Sequence, residues 1–169
     1  MTLRTVIAAS AFCIASGVGG SSMGQTHPEI ESRNKARVME KFEAWASGTG
    51  SPYELLAEDA TWTITGRSLA SKTYPSHEAF MSEVIRPFNA RMRVGLKPTV
   101  HRIYAEGDTV TILFDARGTA RDGVPYENTY AWFLEMHDGK VTKATAFFDS
   151  LTFNELWTRV EPAAREEGR

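Results

Sequence analysis

Residues 126–149 read Tyr126-Glu127-Asn128-Thr129-Tyr130-Ala131-Trp132-Phe133-Leu134-Glu135-Met136-His137-Asp138-Gly139-Lys140-Val141-Thr142-Lys143-Ala144-Thr145-Ala146-Phe147-Phe148-Asp149. Asp138-Gly139 is a strong two-residue hairpin signal, and the runs on either side are long enough to be strands. Side chains alternate across a strand, so Tyr126, Asn128, Tyr130, Trp132, Leu134 and Met136 share one face. The other face takes Glu127, Thr129 and Glu135. A phenol, an amide and an indole at every second position suit the wall of a small-molecule pocket built on a sheet.

Upstream, the spacing predicts two more strands, at about 98–105 and 109–119, joined to this hairpin through Glu106-Gly107 and Asp122-Gly123, with the last strand at 140–149. Before them, Pro28 suits a first helical turn. Val38, Phe42 and Trp45 follow at helical spacing until Gly48-Thr49-Gly50, so a helix is expected over about 28–47. Ser51-Pro52 starts a short helix through Leu56. Residues 59–65 alternate as a strand, and Pro75-Ser76 opens a third helix with Phe80, Val84 and Phe88 on one face and a break or kink at Pro87. Helices first and an antiparallel meander afterwards define an α+β fold, with the helices against one face of a curved sheet.

Register extends this reading. A two-residue turn at Glu106-Gly107 sets Ile103 opposite Val110 and His101 opposite Ile112, which places His101 with Val110, Ile112, Phe114 and Ala116 on the inner face. Across the last turn the inner set continues through Thr142, Ala144, Ala146 and Phe148. Asp115, Arg117, Glu127 and Thr129 then fall on the outer face, a mixture suited to solvent or to an interface between subunits.

The chain has 169 residues. Met1-Thr2-Leu3-Arg4 is a short positive start, and Thr5 to Val18 is apolar or small, followed by Gly19-Gly20-Ser21-Ser22-Met23-Gly24. This pattern is expected to be a secretory signal peptide over 1–24, cleaved near Gly24, with a periplasmic or secreted product. Lipidation at Cys13 is the alternative, and Phe12 fits that signal poorly. Cys13 is the one cysteine, so the mature protein would hold neither a disulfide nor a cysteine metal site. About 145 residues remain, enough for a single domain over 28–160 with a polar tail at 161–169. With 19 Lys+Arg against 21 Asp+Glu the net charge is −2, and losing Arg4 makes it −3. Such a balance gives nucleic acid or an anionic membrane nothing to bind.

The candidate site residues are those of the inferred inner face. His101 and Tyr130 are the catalytic candidates: an imidazole able to carry a proton near neutral pH, and a phenol able to hydrogen-bond a carbonyl. Trp62, Asn128 and Trp132 are the substrate-binding candidates. Each has a plainer reading: a sheet histidine with its own partner, a core tyrosine, core indoles, or an amide tying a strand to a loop. His/Cys/Asp/Glu spacing suggests no metal, and no cofactor is expected.

The order of elements resembles the nuclear-transport-factor-two-like superfamily, specifically its SnoaL-like and ketosteroid-isomerase-related branch, over about residues 34–157. Leu56-Ala57-Glu58-Asp59-Ala60-Thr61-Trp62 before Gly66, Val84-Ile85-Arg86-Pro87-Phe88, Tyr104-Ala105-Glu106-Gly107-Asp108-Thr109-Val110 and Tyr126 to Trp132 carry the resemblance. It implies a cone-shaped sheet wrapped around helices, a homodimer packed through the outer sheet face, and a small apolar carbonyl or ring compound as ligand. It also implies an isomerase or hydratase-type enzyme, or a binding module. Two positions depart from the pattern. The isomerase base position matches Ile64, and the acidic position three residues before Asp149 matches Ala146, so neither carboxylate of the better-described relatives is present. A cone filled by its own side chains is the third alternative.

Overall fold

The computed structural model describes residues 26–163. The expected leader therefore lies outside the described residues, as do residues 164–169 of the expected tail. Helix α1 (His27–Ser47) runs to Gly48, and a 3-10 turn (Pro52–Leu55) leads into strand β1 (Leu56–Ile64). Then follow β2 (Thr73–Tyr74), α2 (His77–Phe80), a π-helical turn (Met81–Ile85) and α3 (Arg86–Asn89). The chain continues as β3 (Met92–Glu106), β4 (Thr109–Ala120), β5 (Pro125–His137), β6 (Lys140–Phe148) and α4 (Ser150–Arg159).

The six strands form one sheet in the order β2-β1-β6-β5-β4-β3. Strands β3 to β6 make the expected antiparallel meander, whereas β1 joins β6 in parallel, with Trp62 beside Ala144 and Ile64 beside Ala146. The helical elements cover one face. Val38 and Phe42 of α1 and Phe80, Val84 and Phe88 of the second helical stretch are buried there with the inner residues of β4, β5 and β6. Ring contacts bind the layers: Phe42 meets Phe114 edge-on at 4.9 Å between centroids and Trp132 at 5.6 Å. Such pairs add modestly to the area they bury.

On β5 the alternation reads through the whole strand, with Tyr126, Asn128, Tyr130, Trp132, Leu134 and Met136 all buried. The Asp138-Gly139 turn has φ of 47° and 76°, the positive pair a type I′ hairpin needs. A register irregularity between Glu135 and Met136 corrects the far end of β6. Met136 faces Val141, so Val141 is buried and Thr142, expected inside, points outward.

The β3–β4 register differs from expectation in a way that bears on function. The turn is Gly107-Asp108, with Glu106 opposite Thr109, one residue later than the dipeptide suggested. Farther along, Val100 faces Phe114 but Arg102 faces Leu113, which leaves His101 as the extra residue of a β-bulge. A bulge reverses the parity of everything beyond it. Val100 and Ile103 therefore pack against the core, while His101 and Arg102 are exposed.

The second helical stretch stays continuous at Pro87. Proline has no N–H to give the preceding turn, and the widened π-helical turn at Met81–Ile85 comes just before it. Val84, Ile85 and Phe88 are all buried on the same side. The carboxy-terminal segment remains attached through residue 163, where the Ala163 N–H donates to the Ala90 carbonyl at 2.8 Å.

Candidate functional site

Between the helices and the inner face of the sheet lies a small cavity of about 50 Å³, lined by aromatic and aliphatic side chains. Trp62 and Ile64 come from β1, Tyr130 and Trp132 from β5, and Ala146 and Phe148 from β6. Trp45, Tyr53 and the buried face of the second helical stretch complete the wall. Trp62 stacks on Phe80 at 4.3 Å and meets Trp132 edge-on at 5.0 Å, which locks the two indoles at right angles. Among the described residues lining this cavity there is no Asp, Glu, His, Lys, Arg or Cys.

Its polar atoms are phenol and indole groups. The Trp62 indole N–H is buried and meets no acceptor among the described residues. Leaving such a donor unpaired costs about 1–3 kcal/mol. The Tyr126 and Tyr130 hydroxyls are 3.0 Å apart, and Asn128 Nδ2 donates to the Tyr126 hydroxyl at 3.1 Å. Burial pushes the phenol of Tyr130 well above its ordinary range and raises those of Tyr53 and Tyr126. All three stay protonated through neutral pH and act as hydrogen-bond groups, not as bases.

Of the five expected site residues, the structure brings Trp62, Tyr130 and Trp132 together around the cavity. Asn128 stands behind the wall. Its Nδ2 also donates to the Asp149 carbonyl at 3.0 Å, and its Oδ1 accepts from the Asp149 N–H at 3.0 Å. The amide thus clamps β5 to the start of α4 and hands its remaining N–H to Tyr126. Asp149 caps α4, with Oδ1 accepting from the Leu151 N–H at 2.8 Å and Oδ2 from the Thr152 hydroxyl at 2.9 Å. Those bonds hold its carboxyl below the ordinary range.

His101 is far from this arrangement in kind. The bulge sends it to the outer face, where its Nε2 sits 2.9 Å from Asp115 Oδ2 and its side chain is 42% exposed. Asp115 also accepts from the Thr129 hydroxyl at 2.7 Å. Sequence reasoning missed Tyr53, whose ring closes on Trp62 and Phe80 at 5.9 and 5.6 Å. It also missed Phe153 of α4, although Asp149 followed by Phe153, Leu156, Trp157 and Val160 is a capped amphipathic pattern.

A family model for the SnoaL-like domain matches residues 36–144, well over half of the chain. The chain belongs to the SnoaL-like domain family. Solved structures agree on the fold of this SnoaL-like protein. It is similar to Bal32a, from a soil-derived mobile gene cassette, at 22% identity and a TM-score of 0.62 over 76% of this chain and 98% of that one. A candidate SnoaL-like polyketide cyclase from Jannaschia sp. CCS1 follows at 19% identity and a TM-score of 0.59, covering 80% and 98%. A candidate isomerase from Rhodopseudomonas palustris reaches a TM-score of 0.57 at 15% identity, covering 75% and 96%. No curated protein matches the chain. Within the SnoaL-like frame, Ile64 and Ala146 are neighbours across the β1–β6 pair and both line the cavity. The two positions at which the resemblance led one to look for a carboxylate are side by side in the wall, and both are apolar.

Proposed function

We propose that this SnoaL-like protein binds a small apolar ring compound in its inner cavity as a non-catalytic receptor or carrier. The observation that carries the reading is the wall itself: aromatic and aliphatic throughout, with Ile64 and Ala146 adjacent where a base would be needed. General acid–base catalysis requires a group whose pKa lies near working pH, and phenols raised by burial do not supply one. A carbonyl or ether oxygen on the ligand would instead accept from the Trp62 indole N–H and from Tyr130. In the order Asn128 to Tyr126 to Tyr130, each hydroxyl accepts one hydrogen bond and donates the next, which leaves the Tyr130 proton for the ligand. The cavity is small as it stands, so side chains at its mouth must shift to admit a ring.

Turnover of the isomerase or cyclase type is the competing reading, supported by the family. A neutral aryl ketone such as 2-acetylnaphthalene separates the two. Receptor function predicts a saturable rise in melting temperature, weaker in Tyr130→Phe, with the compound recovered unchanged. Chemical conversion of such ketones by the wild-type protein, lost in Tyr130→Phe, would refute the receptor reading.

Two further parts of the proposal concern the surroundings. Residues 1–24 support export, which amino-terminal sequencing of the mature protein would test. The exposed Leu113, Phe133 and Phe147 of the outer face support a homodimer packed through it, which sedimentation would test.

A further inference from the structure

The aromatic cavity, small as it stands, backs onto a wider cleft of about 570 Å³ between the end of α1, the second helical stretch and the first residues of β3. Trp45, Tyr53, Ile85, Phe88 and Leu96 line both spaces, so a single layer of side chains divides them. Two of the five stand where their elements are least regular. Ile85 closes the π-helical turn, and Leu96 lies where the register of β3 against β4 shifts, between Val94 and Lys97. Departures of both kinds gather at functional sites, where they re-aim side chains that a regular helix or strand would hold in line.

The sequence also clears the space beside this layer. A Cβ at Gly118 of β4 would stand 2.8 Å from the Met92 methyl and 3.1 Å from a methyl of Leu96. Without it, both side chains settle onto the backbone of β4 and leave the cleft open next to them. Met81 and Met92 line the cleft and not the cavity. Both are partly buried, whereas two of the polar residues of the lining, Asn89 and Lys97, are exposed. Unbranched thioethers adapt to guests of different shape, and an apolar chain laid across them leaves water without stranding a polar group.

Resting on the reading of the inner cavity as a ligand site, we infer that cavity and cleft are two compartments of one site, and that its ligand is a ring compound carrying an aliphatic tail. The ring enters the aromatic compartment as Ile85 and Leu96 give way, and the tail lies in the cleft across Met81 and Met92. The inner compartment thus selects the ring, and the cleft selects the length of the chain attached to it. Met92, held down over Gly118, is the residue that sets the room for that chain.

The test uses two ketones that share a ring and differ by four methylenes, 2-acetylnaphthalene and 2-hexanoylnaphthalene, titrated into wild type and Met92→Trp. Wild type should bind the longer ketone about tenfold more tightly, because each buried methylene contributes and an open cleft covers the chain in part. In Met92→Trp, where an indole takes up the room, this preference should disappear. Spectra of wild type labelled with ¹³C at the methionine methyls give a second readout that needs no variant. Met81 and Met92 should shift further with the longer ketone than with the shorter, while Met136, buried in the core, responds alike to both. Equal affinity for the two ketones, a chain-length preference undiminished in Met92→Trp, or Met81 and Met92 shifts that match between the ketones would each overturn the inference and leave the cavity reading standing. Failure of wild type to bind either compound overturns both.

Discussion

Strand β5 serves two polar clusters that face opposite ways. Inward, Asn128 and Tyr130 join Tyr126 in a buried chain of hydrogen bonds. Outward, Thr129 joins Asp115 and His101 in an exposed one. The distances are similar, and the surroundings make the difference. In the interior an unmade hydrogen bond carries its full desolvation penalty, whereas at the surface water replaces the lost partner. The inner cluster is therefore the one that holds the fold in register and, in the function proposed, the one that presents groups to a ligand. The outer one resembles a catalytic constellation in its residue types while standing outside the cavity.

The largest contrast is expected between adjacent residues of opposite orientation. Trp132→Ala removes a buried indole shared by the core and the cavity and should cost about 3–5 kcal/mol. Phe133→Ala, on the outer face and 42% exposed, should cost under about 1 kcal/mol in the monomer. Denaturant unfolding checks both, and comparable losses would erase the distinction between the faces.

A smaller gap separates Asn128 from Thr129. Asn128→Ala strands the Asp149 N–H and carbonyl and takes a donor from Tyr126, for about 1–3 kcal/mol. Thr129→Ala should stay within about 0.5 kcal/mol.

The clusters also predict opposite limbs of the pH–stability curve. Phenols raised in the folded state stabilise fully below their unfolded value of about 10, and that stability is lost as pH climbs above it. Tyr130→Phe should flatten this alkaline limb. Asp115, held low first by the Thr129 hydroxyl and then by His101, and Asp149, held low by its capping bonds, act in the other direction. Their contribution is present above about pH 4 and is lost as pH falls below it toward their lowered values. Thermal midpoints from pH 2 to 11 for wild type, Tyr130→Phe and Asp149→Ala would reveal both limbs. The smallest effect expected is that of His101→Ala, which should leave ligand affinity unchanged.

How far the site could be read in advance depends on where the information sits. The inner face of β5 was legible because alternation and the Asp138-Gly139 turn are local, and both act on the same hairpin. The buried face of Phe80, Val84 and Phe88 was legible for the same reason. His101 was misplaced because a bulge leaves no mark in Val100-His101-Arg102, and one inserted residue exchanges the two faces. The parallel pairing of β1 with β6 joins residues some eighty positions apart, and it sets Ile64 beside Ala146. Tyr53 sits in a 3-10 turn, where no periodicity announces which way a ring points. Asn128 was recognised as needing partners, but its partner proved to be the backbone of Asp149, expected as the last residue of a strand and found as the cap of α4.

The four tryptophans offer the most direct test, since Trp45, Trp62 and Trp132 line the cavity and Trp157 does not. Trp157 instead packs against Arg91, whose guanidinium carbon lies 4.2 Å from the ring centroid. Titration of ¹⁵N-labelled protein with 2-acetylnaphthalene should shift the indole N–H resonances of Trp45, Trp62 and Trp132, with Trp62 moving downfield as its N–H acquires an acceptor, and should leave Trp157 in place. Unmoved cavity indoles at saturating ligand, or a response confined to Trp157, would contradict the assignment of the inner cavity as the binding site.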